Sequence, residues 1–582
     1  MKKINKIIIT LLMVMIFMIA LVACNDKDTH KGEFTYEINN AEDLANVANM
    51  LGEDYDKGTF TLNTDLTLSD DNWTAIGDSV VNSFRGTFNG NGHTITYKIK
   101  IAEPEERDTT SKLVDEKFYG LFGVIHNATI SNLNLSVNIE VPSDASSIYL
   151  GGLCGFASGV CNVSNVNVSG SIYTTMGDIC KTTISEDGSE IKERERYEMA
   201  EYVGGLIGYV KGESTIANVN SSAFINVGAY ERYGYKAALN DVFAGGIVGS
   251  MRTVDLSSLR VNDNYCSAKA LSFTGSITAT GNLVNVGGIF GSAYRINDGE
   301  KWIVNSNNIK AYAFKRSRVG GIAGLLDRVT LKKASSNVDK INAEIFSSST
   351  SRSFNVGGLV GYLANFSYVE NAISNAQKIT VSTYTNNYTG GLVGMLHFST
   401  IKNAVADGAL YYDNKSILDN TDISYASSGN RNNAYYIYNG GAVGRMYGAS
   451  TIDNLSTKFT AYQGIVGELA NAIEIVSVKV GEGENVENAY TAWLQSTVYD
   501  SAQLTASKEG SVEEGEQKYR IIHNYNVASN NYTYVRTNSK CFNDLTDNPV
   551  EADERMVKVG TGVDDTTSYD ALYNAISSTI NN

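Results

Sequence analysis

Ten times along this chain the sequence returns to the same four-residue pattern: glycine, an aliphatic residue, an apolar residue, glycine. The copies begin at Gly120, Gly152, Gly205, Gly246, Gly288, Gly321, Gly358, Gly391, Gly441 and Gly464, and Gly358-Leu359-Val360-Gly361 shows the pattern plainly. Start-to-start intervals run 32, 53, 41, 42, 33, 37, 33, 50 and 23 residues. A period of a few tens of residues marks a repeat architecture, in which one unit cannot bury its own apolar face and stacked neighbours can. A second glycine usually precedes the tetrad, as in Tyr202-Val203-Gly204-Gly205. Glycine costs roughly 0.5–1 kcal/mol relative to alanine, and it admits a positive φ or the close approach of another backbone. Tenfold retention therefore predicts a short strand in a crowded place where a bend recurs.

Several tetrads are followed by a small apolar run with interleaved Asn and Ser, such as Thr129-Ile130-Ser131-Asn132-Leu133-Asn134-Leu135 and Thr215-Ile216-Ala217-Asn218-Val219-Asn220. That alternation of period two is a strand with one face buried. Each unit is then two or three short strands joined by Gly, Asn and Ser turns. Proline is confined to Pro104, Pro142 and Pro549, as a stack of strands hydrogen-bonded on both edges demands. The expected fold is all-β: a β-solenoid, as a right-handed parallel β-helix, of about ten Gly-rich repeats. A propeller is the alternative, though its blades should recur more regularly. With strands ~4.8 Å apart, roughly a dozen coils would make a rod on the order of 60 Å long.

The first residues predict export. Lys2, Lys3 and Lys6 precede an apolar run from Ile7 to Ala20, and Leu21-Val22-Ala23-Cys24 follows. This resembles the bacterial lipoprotein signal, whose final cysteine is lipidated and becomes the mature N-terminus; a plain secretory signal or a membrane-anchor helix is the alternative. The resemblance implies cleavage of 1–23, lipidation of Cys24, a polar tether at 24–32 and an extracytoplasmic chain held to a bacterial membrane by lipid. No later apolar run approaches the ~18 residues of a spanning helix. Loss of three lysines takes the formal charge from −16 to −19, which argues against nucleic acid or anionic headgroups as partners. The other five cysteines form no C-x-x-C pair, so neither a disulfide framework nor a zinc site is indicated. Cys154, in a tetrad, is expected to be a small buried hydrophobe.

Residues 33–118 are expected to form an N-terminal cap and the first coils. Phe34 to Ile38 is strand-like, and Asn40 is an N-cap before Ala41-Glu42-Asp43. Leu44, Val47, Ala48 and Leu51 then fall on one face of a short amphipathic helix, placed to close the open end of the first coil. Asn89-Gly90-Asn91-Gly92 marks a tight turn between two strands. The stretch Phe84-Arg85-Gly86-Thr87-Phe88-Asn89-Gly90-Asn91-Gly92-His93-Thr94-Ile95, followed by the tetrads, resembles the bacterial surface proteins bearing the GLUG repeat, with Asn89 where Asp is usual. The resemblance covers about residues 34–470. It implies an exported, adhesin-like surface protein; related repeats also sit beside protease domains, and the repeat itself implies no chemistry.

The repeats span 119–481, and 482–582 is expected to be a C-terminal cap or appended module, with a strand at Tyr519 to Ile522 and a final helix at Tyr569, Leu572, Tyr573 and Ile576. Two long intervals mark insertions. Ser185 to Glu201 is highly charged and reads as a solvated loop or short exposed helix. Gly408 to Asn439 carries Tyr411, Tyr412, Tyr425, Tyr435, Tyr436 and Tyr438. Tyrosine supplies rigid amphipathic contact area for sugars or proteins, although the rings can equally cover the side of the solenoid.

No histidine is followed by the glutamate of H-E-x-x-H, and there is neither a G-x-S-x-G elbow nor a phosphate-binding loop. His93 is expected to be a turn residue. No cofactor or metal is indicated. Many parallel β-helices act on polysaccharides through carboxylates, for which Asp70, Asp71 and Asp78 are candidates; acidic pairs are also common in solvated turns. The expectation is a non-enzymatic, lipid-anchored surface protein binding an extracellular protein or glycan through side-facing loops. A polysaccharide lyase or hydrolase and a purely structural spacer are the alternatives.

Overall fold

The computed structural model describes residues 34–51, 57–68, 73–102, 116–143, 147–176, 181–184, 190–193, 200–229, 240–253, 265–345, 354–383, 387–414, 437–447, 450–458, 466–470, 472–479, 504–508, 516–523, 527–528, 540–542, 550–551 and 566–582. The chain winds as a parallel β-solenoid, each coil adding strands to parallel stacks. The pre-glycine stack aligns Gly151, Gly204, Gly245, Gly287, Gly320, Gly357, Gly390 and Gly440. The post-glycine stack aligns the third tetrad residue, from Phe122 through Cys154, Ile207 and Val248 onward. A third stack runs through Thr129–Ser131, Asn162–Val168 and Thr215–Ser221, and a fourth through Ser171–Thr175 and Phe224–Ala229. Propeller blades are antiparallel, so this parallel pairing excludes them. The third stack holds thirteen strand segments among the described residues, a rod of about 60 Å at ~4.8 Å per step.

The tetrad is not itself a strand, contrary to expectation: it spans the bend. Ala200–Gly204 ends before Gly205, and Ile207–Lys211 starts at the tetrad's third residue. At this fold the two stacks touch backbone to backbone. A Cβ on Gly208 would lie 2.5 Å from the Leu150 nitrogen and 2.6 Å from the Tyr202 carbonyl oxygen, a clash that only glycine avoids.

Asparagine takes the left-handed backbone of the third stack. Asn132, Asn165 and Asn218 share a register at φ 56°, 55° and 55°, and Asn371, Asn403 and Asn454 continue it at 57°, 50° and 52°. Asn accepts this region where most side chains resist it. The amides also form a ladder: Asn132 Nδ2 donates to Asn89 Oδ1 at 3.1 Å, Asn165 to Asn132 at 3.0 Å and Asn218 to Asn165 at 3.2 Å. Ala270, Lys301 and Lys333 occupy the middle of the column at φ 51°, 57° and 67°. One residue earlier, the strands carry alternating charge: Lys269, Glu300, Lys332, Glu370, Lys402 and Asp453 stand in successive coils. Alternation keeps like charges from facing each other and disfavours a one-coil slip.

Inward residues of every stack join one continuous core. Leu44 and Val47 extend it at the N-terminal end, under a short helix, Ala41–Asn46, whose N-cap Asn40 Oδ1 accepts the Asp43 N–H at 2.9 Å. Ala48, expected on the buried face, is exposed. The chain tightens to a 3₁₀ turn over Val47–Met50, which has three residues per turn and rotates position 48 outward. The strands flanking Asn89-Gly90-Asn91-Gly92 pair with the next coil rather than with each other. The charged insertion contains a β-hairpin, Lys181–Ile184 against Glu190–Glu193, instead of a helix; β-branched residues and the Asp187-Gly188 turn signal favour that choice.

Beyond the last tetrad, Ala472–Lys479 pairs antiparallel with Glu516–His523 in a separate sheet, while Lys540–Phe542 returns to pair with Tyr411–Asp413. The final helix, Thr566–Asn581, lies on the side of the rod. Tyr569, Ile576 and Ile580 are buried there against Ile373 and Val405, with Leu572 and Tyr573 partly buried, and Lys458 Nζ pairs with Asp570 at 2.7 Å.

Candidate functional site

The two stacks that flank the glycine bend present their outward residues to one another, forming a seam along the rod. One wall reads Phe118, Tyr149, Tyr202, Phe243, Asn285, Arg318, Asn355 and Tyr388 in successive coils. At its N-terminal end the rings of Phe118, Tyr149, Tyr202 and Phe243 stack at centroid spacings of 5.0, 5.2 and 4.9 Å, and Phe156 and Tyr209 pack beside them. A sugar-stacking platform needs free ring faces. These faces are used on each other, so the column is structural.

Midway along, the chemistry changes. Arg318 stands between Asn285 and Asn355, and its guanidinium lies 5.0 Å from the centre of the Tyr362 ring. The Nε atoms of Arg316 and Arg318 and the Oδ1 atoms of Asn285 and Asn355 are buried without a hydrogen-bond partner. Burial holds the Arg318 pKa below the usual arginine range, with Tyr294, Tyr362 and Asp327 partly compensating. Arg252 lies over the Tyr209 ring, donates Nε to its hydroxyl, and acts on Tyr294, whose own pKa burial pushes up. One carboxylate, Asp327, sits within this group. It accepts Asn365 Nδ2 at 2.7 Å and pairs with Arg328 Nη1 at 3.3 Å, and burial raises its pKa against the pull of Arg328, Arg295 and Arg318. Arg295, Arg318 and Arg328 thus act on Asp327, Arg316 acts on Arg318 and Arg252 on Tyr294, so five guanidiniums gather along this part of the seam on a chain of net charge −16.

Two of these arginines have unusual backbones. Arg295 and Arg328 both stand at φ 55°, immediately after a post-glycine strand segment. In other coils that corner is Asn127 at φ 50°, Gly159 at 73°, Asn365 at 51° and Phe398 at 46°. A long side chain in this region costs about 1 kcal/mol or more.

A second constellation resembles a nucleophile and base. His126 Nδ1 lies 2.8 Å from Ser158 Oγ. However, the Val160 N–H donates to Asn127 Oδ1 at 2.7 Å, which turns Asn127 Nδ2 toward His126 Nε2 at 3.0 Å. Nε2 therefore accepts, and the neutral ring carries its proton on Nδ1 and donates it to Ser158. Burial and Arg85 lower the His126 pKa, favouring that neutral form. The ring thus has no lone pair directed at the hydroxyl, and the pair is structural.

Of the residues singled out in the sequence, Tyr411 and Tyr412 lie in Thr400–Asn414 opposite Thr380 and Val381, and Tyr438 in Ile437–Gly440 opposite Tyr388. They belong to the fourth and the pre-glycine stacks. Cys24, Asp70, Asp71, Tyr425, Tyr435 and Tyr436 lie outside the described residues. Asp78 is exposed and accepts Asn82 Nδ2 at 3.0 Å. His93 pairs with Asp65 at 3.1 Å beside the turn. Cys154 is fully buried, its thiol pKa pushed well up by desolvation. Among the described residues no three His, Cys, Asp or Glu side chains gather as a metal site, and no helix is long and apolar enough to cross a membrane.

The arginine group escaped the sequence reading because its members are spread from 252 to 328. Aligning the tetrads brings two of its members into one column: Arg295 and Arg328 each stand seven residues after the first glycine of their tetrads, as do Asn127, Gly159, Gly212, Thr253, Asn365 and Phe398. No family model, curated protein or solved structure matches the chain.

Proposed function

We propose that this chain is a lipid-anchored, adhesin-like cell-surface protein that binds a protein or glycan partner without catalysis, through insertions carried on one edge of its rod. One observation supports the reading above others. Segments 103–115, 144–146, 177–199, 230–239, 346–353, 384–386 and 415–436 all connect the end of a fourth-stack strand to the start of a pre-glycine strand. Only 254–264 interrupts the rod elsewhere among the segments between residues 103 and 436. Loops that vary in length at one corner of a rigid scaffold are how repeat proteins build a recognition face. The tyrosine-rich insertion, bounded by Tyr412 and Tyr438, is the longest of those that carry aromatic residues in number and is the expected contact. The positively charged start, the apolar run and Cys24 support the anchor, and the resemblance to GLUG-repeat proteins supports display at the surface.

The test is the detergent-solubilised full chain on a glycan and matrix-protein array, with product analysis on every hit. Saturable binding of an unchanged ligand, lost when 415–436 is replaced by a short Gly-Ser linker, is the expected result. Shortened glycans would overturn the non-catalytic reading. For the anchor, mass spectrometry of the N-terminal peptide should find a lipidated Cys24 that Cys24→Ser abolishes.

A further inference from the structure

We propose that the arginine group in the seam is a second binding site, for an acidic glycan chain bearing carboxylate or sulfate groups. The proposal goes beyond the loop-mediated reading and does not depend on it.

Two independent observations point to an absent anion. First, Arg295, Arg318 and Arg328 act on one buried carboxylate, Asp327, that Asn365 and Arg328 already engage, while Arg316 acts on Arg318 and Arg252 on Tyr294 beside it. Two of them, Arg316 and Arg318, keep a buried Nε–H without an acceptor. A buried charge-bearing donor is costly to leave unpaired, and the planar guanidinium fork fits carboxylate and sulfate oxygens. Second, Arg295 and Arg328 stand side by side in consecutive coils at a left-handed corner that Asn127, Gly159, Gly212 and Asn365 take in other coils, with Phe398 as a further bulky exception at φ 46°. Strain of that kind collects where function needs a particular side chain. The arginines span coils ~4.8 Å apart, so an extended polymer lying along the seam would meet several at once. Tyr362 and Tyr209, each under a guanidinium, hold those forks in place and add cation–π attraction. A repeating anion suits this stripe better than a single small ion.

The test uses the detergent-solubilised full chain and fluorescence polarisation with labelled hexagalacturonate, heparin hexasaccharide, neutral cellohexaose and a single-stranded DNA hexamer. At least one acidic oligosaccharide should bind, cellohexaose should not, and affinity should fall about tenfold or more between 50 and 500 mM NaCl as screening grows. Arg295→Asn with Arg328→Asn places at both corners the residue that Asn127 and Asn365 supply in other coils, so the rod should fold while affinity falls about tenfold or more. Arg252→Gln, checked by circular dichroism, gives a second probe elsewhere in the group. Replacing 415–436 should leave this binding intact, which separates failure here from failure of the loop reading. The proposal is overturned if neither acidic oligosaccharide binds, if cellohexaose or DNA binds as well, or if the double asparagine variant retains full affinity.

Discussion

Asn165 and Ala270 occupy the same left-handed column two coils apart, and giving each the other's residue should move stability in opposite directions. Asn165 sits at φ 55°, donates to Asn132 at 3.0 Å and accepts from Asn218 at 3.2 Å. Asn165→Ala removes both amide bonds, worth about 0.5 kcal/mol each at an exposed site. It also leaves a plain Cβ residue in the left-handed region, at about 1 kcal/mol. The expected loss is about 2 kcal/mol. Ala270 already carries that strain, at φ 51°. Ala270→Asn relieves about 1 kcal/mol and sets a new amide one coil beyond the Asn218 oxygen, for a net gain of about 1.5 kcal/mol. Urea unfolding followed by circular dichroism reads both, as midpoint shifts at unchanged slope. Coils of a stacked array can open locally, so hydrogen exchange across Cys266–Phe273 gives a second measure. Most substitutions destabilise, which makes the gain the sharper half of the test. A neutral or destabilising Ala270→Asn, together with a harmless Asn165→Ala, would mean that the column merely follows the corner and does not help to hold it.

Other consequences follow from the same geometry. Glu300→Lys places three lysines in successive coils and breaks the 3.2 Å pair with Lys333; the expected cost is about 2 kcal/mol at low salt and less than half that in 1 M NaCl, and a salt-independent loss would count against the charge ladder. Val405→Asp sets a carboxylate beneath the final helix, against Tyr569 and Ile576, and should free that helix by roughly 2–3 kcal/mol while the rod stays folded; unchanged exchange protection over Thr566–Asn581 would refute the docking. Burial lowers the pKa of His126 and His397 below the ordinary value near 6.5. The unfolded chain then binds more protons below that pH, so their contribution is intact above about 6.5 and lost as pH falls through the folded values. His126→Gln with His397→Gln should flatten the stability profile between pH 7 and 5, and an equally steep profile would show that other groups govern it.

What the sequence made legible were the features that recur. The tetrads, the scarcity of proline and the period-two runs predicted stacked parallel strands, because each coil must satisfy the same packing rule. The two α-helices among the described residues were also readable, since Asn40 and the spacing of Tyr569 and Ile576 are local signals. The tetrad's own conformation was not, because glycine permits both a strand and a bend, and the choice was made by the Leu150 and Tyr202 backbones of neighbouring segments. Nor was the seam. Its walls lie in separate stacks, and Arg252 meets Tyr294 only because the coils are in register. Yet stacking turns a fixed offset from the tetrad into a fixed place in space, so deviations at one offset carry information that a linear reading discards. At the asparagine column the deviating residue Lys333 pairs with Glu300, beside the Lys269–Asp298 pair of a neighbouring coil, and the charge ladder accounts for it. At the other corner Arg295 and Arg328, together with Arg318, act on one carboxylate, Asp327. The same kind of departure from the repeat is thus paired within the rod in one column and draws three guanidiniums to one acid in the other, and the second column is the one to which we assign an anionic partner.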